Sequence, residues 1–168
     1  MDVVLAGFAA FGGMEYPTVI FTNPVRLTVS HELAHQWWYG IVGDDEYAEP
    51  WLDESFATWS QYLPFGPWRS CRKYHFPGAG ARITNDMGYW EAHPGEYGTI
   101  YGGGGCLLAN LAHRFGQRSF ITILRSYAAH HWLGVARTAE FKARIERAAA
   151  AQLPGLDMAA YWATWRVD

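Results

Sequence analysis

Short runs of β-branched and aromatic residues open this chain, and apolar residues at helical spacing fill its second half. Residues 3–11 and 18–22 read as strands, bounded by Gly12-Gly13 and by Asn23-Pro24. Asn23-Pro24 also reads as a helix start, with Asn at the N-cap and Pro at the first helical position. That helix is expected to run from Val25 to Tyr39 and to stop at Gly40. Residues 41–49 form an acidic loop, and Pro50 opens a second helix that Pro64 ends. Residues 64–96, rich in Pro and Gly, read as a long irregular stretch, either a functional loop or a poorly ordered one. Beyond Tyr97 the pattern predicts helices near 104–115, 118–130, 138–151 and 157–165, with breaks at Gly116, Gly134 and Pro154-Gly155. The order predicts an α+β fold, a small N-terminal sheet followed by a mostly helical half.

Composition narrows the picture. At 168 residues the chain is the size of one domain, residues 1–168. Half of the residues are hydrophobic and 17% are charged, which excludes intrinsic disorder. Nine Trp, ten Tyr and nine Phe exceed what a core of this size needs, so some are expected to line a pocket. The net charge of −3 offers no footprint for nucleic acid, and no apolar run approaches the roughly 20 residues of a membrane span. The apolar start lacks a basic lead, so it reads as a strand and not a signal peptide. The default expectation is a cytoplasmic protein. Val3 to Ala6 read as a buried element with almost no polar lead-in, as in a piece of a longer chain or a minimal version of one. Cys71 and Cys106 fit no disulfide framework and are expected to be reduced thiols.

The chemistry concentrates in His31-Glu32-Leu33-Ala34-His35. On a helix, residues four apart share a face, so both imidazoles can reach one zinc at about 2.0–2.1 Å. Glu32 follows the first histidine and can sit beside the metal without binding it, placed to take a proton from water. A catalytic zinc wants three protein ligands, and Glu54 in the first turn of the next helix is the best third candidate. Asp53 is adjacent to Glu54 but points about 100° away around the helix. The alternative for this pair is two solvated acids favoured by the helix dipole.

With Gln36-Trp37-Trp38 after the motif, and eighteen residues between His35 and Glu54, the pattern resembles the gluzincin aminopeptidases related to aminopeptidase N. Gly12-Gly13-Met14-Glu15-Tyr16 is similar to that family's exopeptidase motif. The resemblance implies a thermolysin-like zincin catalytic domain with one Zn²⁺ bound by His31, His35 and Glu54, and Glu32 as general base. It implies that Glu15 holds the α-amine of the substrate. The Gly12–Met14 strand then pairs with the substrate backbone, where glycines permit close approach. Tyr101-Gly102-Gly103-Gly104 is similar to the family's Tyr-x-Lys-Gly, with Gly103 in the lysine position, which implies Tyr101 as oxyanion donor. Tyr97, one turn earlier, competes for that role. The four consecutive glycines could also offer an anion-binding nest.

These implications describe a zinc-dependent metallopeptidase acting on peptides with a free N-terminus. The family's proteins are several times longer and carry an N-terminal β-rich domain ahead of the catalytic one, and the expectation here is a catalytic domain alone. A sheet edge left open there would invite self-association into a homo-oligomer. Two other readings stay open: a zinc-binding minimal domain, weakly active or inactive, that acts through association, and a thermolysin-like endopeptidase.

Overall fold

The computed structural model describes residues 1–8, 11–66, 71 and 73–168. Three strands, β1 (Asp2–Leu5), β2 (Gly13–Met14) and β3 (Val19–Thr22), form a sheet with β3 in the middle, parallel to β1 and antiparallel to β2. Ile20 and Thr22 alternate into the core. β1 departs from expectation: Val3, Val4 and Leu5 are 47%, 39% and 65% exposed. β3 is its one described strand partner, and no described layer covers its faces. The strand expected over 3–11 ends at Leu5, and its residues 9 and 10 lie outside the described ones.

Helix α1 (Arg26–His35) begins later and ends earlier than its sequence pattern suggests. Asn23 Oδ1 accepts from Val25 N at 3.1 Å, a turn that precedes the helix, and Val25 takes the N-cap position. At the other end the chain leaves the helix at Gln36. Tyr39 turns at φ 113°, and Gly40 packs so closely on the Gln36 carbonyl that a Cβ would stand 2.7 Å from it. The turn lets β4 (Val42–Gly43) run parallel to β5 (Gly134–Val135).

Six further helices follow: α2 (Trp51–Ser60), α3 (Met87–Ala92), α4 (Gly98–Phe115), α5 (Gln117–His130), α6 (Thr138–Gln152) and α7 (Met158–Trp165); α5, α6 and α7 lie where the sequence pattern puts them, α4 starts six residues earlier, and α3 was not expected. Asp86 and Asp157 cap α3 and α7, each accepting from the amide three residues on. Gly116, at φ 79°, ends α4. The core is aromatic, with Trp51, Phe56, Tyr127 and Phe141 packed edge to face, tilted or, for Phe56 and Tyr127, stacked, at centroid distances of 5.1–6.3 Å. Much of the aromatic surplus therefore fills the core.

Residues 64–96 are more structured than expected. They contain α3, and Arg166 holds them by donating to the carbonyls of Gly78 and Ala81 at 2.7 and 2.9 Å. Residues 67–70 and 72 of this stretch lie outside the described ones. Cys71 and Cys106 form a disulfide, Cα atoms 5.0 Å apart, so the expectation of two reduced thiols does not hold. The two cysteines stand 35 positions apart, and their meeting depends on a chain path that no local pattern reveals.

The glycine run of α4 serves packing. A Cβ on Gly104 would overlap the Ser55 side chain, and one on Gly102 or Gly103 would press the Tyr74 ring at 3.0–3.1 Å. All four glycines are helical, so their amides belong to the helix ladder and form no anion nest. α2 and α4 thereby approach closely, and Ser55 Oγ donates to the Ile100 carbonyl at 2.5 Å. Among the described residues no helix is long and apolar enough to cross a membrane.

Candidate functional site

α1 and α2 cross so that three acceptor atoms converge. His31 Nε2 lies 3.1 Å from Glu54 Oε2 and 3.0 Å from His35 Nε2, and His35 Nε2 lies 3.4 Å from Glu54 Oε2. Tetrahedral ligands at about 2.0–2.1 Å from a zinc are about 3.3 Å apart, so this triangle fits one. His35 is 1% exposed.

These groups also hold one another by hydrogen bonds. Burial works against a charged His35, but hydrogen bonds to Asp53 and Glu54 outweigh it and push its pKa up to about 11. Burial likewise disfavours the Glu54 carboxylate, yet the bonds with His31 and His35 bring it down to about 2.

Glu32 lies on the same helix, 4% exposed, and its Oε2 is a buried oxygen without a hydrogen-bond partner. Burial pushes its pKa up to about 7, against the pull of His35 and with repulsion from Glu15 and Glu54. Carboxylate or imidazole atoms of Glu15, Glu32 and His35 lie within 4.8 Å of one another. Burial also raises the Glu15 pKa. β2 reaches this close because Gly13 has no side chain, since a Cβ there would run into the Glu32 carboxylate. Gly12 likewise packs on Thr28, with a virtual Cβ 2.8 Å from its methyl. Met14, half-buried, pairs with Phe21 in the ladder.

Tyr101, on α4, donates to Glu54 Oε1 at 2.6 Å, and its ring lies 6.1 Å from that of His31. Burial and the Glu54 charge push its phenol pKa upward, so the hydroxyl keeps its proton. Tyr97 packs edge-on against Tyr101 at 5.6 Å, one layer behind. Of the nine residues singled out in the sequence, the structure brings together Gly13, Glu15, His31, Glu32, His35, Glu54 and Tyr101, while Gly12 and Met14 flank Gly13 and pack on Thr28 and beside Phe21.

Two residues escaped the sequence reading. Asp53 is no solvated acid: it is 4% exposed, and its Oδ1 accepts a hydrogen bond from His35 Nδ1. An imidazole has nitrogens on two sides, so consecutive residues of α2 can both reach it. The missed signal was that a ligating histidine needs an acceptor for its other nitrogen. Gln36 is the second. Its side chain accepts from Thr18 N at 2.8 Å and donates to the Tyr16 carbonyl at 3.2 Å, fastening the turn after Glu15 to the end of α1. Of the two tryptophans, Trp38 packs on Phe56 in the core, and Trp37 is 40% exposed against Trp132.

Residues 1–78 match the peptidase family M1 domain. Aminopeptidase M1-D of Oryza sativa subsp. japonica is 29% identical over 139 residues, covering 73% of this chain and 16% of that protein. Aminopeptidase N of Lactococcus lactis subsp. cremoris is 26% identical over 168 residues, covering 90% of this chain and 19% of its own length. Among solved structures, a mutant M1 zinc metallopeptidase from Deinococcus radiodurans bound to a Tyr-Ser-Ala substrate superposes at a TM-score of 0.69. It is 20% identical and covers 98% of this chain and 38% of that one. Native leukotriene A4 hydrolase from Saccharomyces cerevisiae gives 0.70, at 20% identity over 98% of this chain and 31% of its own. This chain, which spans under a fifth of these two aminopeptidases, is thus similar to the peptidase family M1 domain over residues 1–78 and to M1 zinc metallopeptidases in fold.

Proposed function

We propose that this chain carries the catalytic site of a zinc-dependent aminopeptidase, with His31, His35 and Glu54 as metal ligands. The convergence of three acceptor atoms at 3.0–3.4 Å carries this reading. The names of the relatives support its direction. A zinc held there supplies a Lewis acid that polarises the scissile carbonyl and acidifies water.

The chain's own residues supply the rest. Glu32, with a pKa of about 7 and a free oxygen, takes a proton from the attacking water and passes it to the leaving amine. Tyr101, a permanent donor, turns its hydrogen bond from Glu54 toward the developing oxyanion. Glu15 pairs with the substrate's ammonium group, so that cleavage falls one residue from the free end. The Gly12–Met14 strand accompanies the substrate backbone.

The test measures zinc content by elemental analysis, then hydrolysis of an aminoacyl anilide and its acetylated twin. One zinc per chain is expected, lost in His31→Ala, with the free-amine substrate preferred. Glu15→Ala should weaken cleavage of that substrate about ten- to a hundred-fold and leave the blocked one unchanged. Equal cleavage of both substrates by wild type would turn the reading to an endopeptidase. Zinc without turnover would leave a binding domain only.

A further inference from the structure

Asp53 shares its first helical turn with Glu54, and the two side chains meet His35 on opposite sides of one ring. Its carboxylate is buried, and it bonds to the imidazole of His35. A neutral imidazole carries one N–H. With Nδ1 facing Asp53, the ring turns Nε2 toward His31 Nε2 and Glu54 Oε2, and a neutral His35 that gave its one N–H to Asp53 would have Nε2 free for a metal. The same bond sets the plane of the ring, because Asp53 sits on a rigid helix packed against α1. Among the described residues His31 makes no such bond through Nδ1.

We propose that Asp53 is a positioning residue of the metal centre, holding His35 in the tautomer and orientation that turn Nε2 to the ion. The inference rests on the zinc reading above and extends it to a residue that touches neither metal nor substrate. Loss of such an outer partner weakens metal affinity by about 10–100-fold.

The experiment measures zinc affinity of the 168-residue chain by competition with a chromophoric chelator, for wild type, Asp53→Ala and Asp53→Asn. Circular dichroism checks the fold of each. Asp53→Ala should bind zinc about 10–100-fold more weakly. Asp53→Asn, which keeps an acceptor oxygen, should recover most of that loss. A second readout needs no variant: long-range proton–nitrogen correlations on zinc-loaded wild type should show His35 protonated at Nδ1 and bare at Nε2. The Nδ1 proton should also be shifted downfield and slow to exchange through its bond to Asp53, which an aspartate that does not hold the ring would not cause. Wild-type affinity in folded Asp53→Ala, or metal on Nδ1 of His35, overturns the proposal. Should Asp53→Ala fail to fold, the exchange rate and shift of the His35 Nδ1 proton in zinc-loaded wild type decide, and a fast-exchanging, unshifted proton overturns the proposal. A wild type that takes up no zinc overturns the metal reading itself, and this inference with it.

Discussion

Tyr101 reaches from α4 across to α2 and donates its phenolic hydrogen to Glu54 Oε1 at 2.6 Å. The other carboxylate oxygen of Glu54 faces the two histidines. One glutamate therefore ties the proposed metal site to the proposed oxyanion donor. The position of Tyr101 depends on α4 lying close to α2, which the glycine run permits.

Tyr101→Phe removes the hydroxyl and little else. It should lower kcat by about 10²–10³-fold, the usual effect of losing one oxyanion donor. Zinc content should stay at one per chain. Steady-state kinetics with a metal assay check both, and an unchanged kcat would take Tyr101 out of the mechanism.

Glu32→Gln should keep zinc, since Glu32 is proposed as base and not as ligand. Hydrolysis should fall by about 10²–10⁴-fold, the range for general-base catalysis. Single-turnover rates at saturating substrate distinguish this from weakened binding. A variant as fast as wild type would sink the assignment.

Gly104→Ala should destabilise the fold by about 1–3 kcal/mol, because the new methyl overlaps the Ser55 side chain between two packed helices. Ser55→Gly in the same chain should recover part of the loss, and urea denaturation of the four-member mutant cycle measures the coupling. Additive effects would show that the contact is not what sets the spacing.

Asp44 predicts a pH dependence. Both of its carboxylate oxygens are buried without a hydrogen-bond partner. Burial, with Glu46 and Glu49 nearby, raises its pKa to about 7 from an ordinary 3.8. The folded chain thus takes up a proton that the unfolded chain releases. This contribution is fully present below pH 3.8 and is lost as pH rises through about 7. Asp44→Asn, neutral throughout, should be more stable than wild type above pH 7 by about 1–3 kcal/mol, and no more stable near pH 4. Denaturation midpoints at the two pH values decide it, and a variant less stable at pH 8 would contradict the burial argument.

Much of this was legible in the residues alone. The pair His31 and His35 share a face whenever residues 31–35 are helical, because 3.6 residues complete a turn. The helices beyond Tyr97 follow from apolar spacing, and the end of α4 from Gly116, since capping acts within a few residues. What local pattern could not decide was the crossing of distant segments. Around α2, Asp53 projects about 100° from Glu54, and only the placement of α1 puts one imidazole between them. The disulfide Cys71–Cys106 depends on the path of a loop. The exposure of Val3, Val4 and Leu5 depends on what packs over β1, and a strand's apolar sequence says nothing about its neighbours. The glycine run, costly to a helix taken alone, makes sense only against Ser55 and Tyr74. Spacing along a chain sets which side chains share a face, whereas the choice of what that face meets belongs to contacts between residues far apart in sequence.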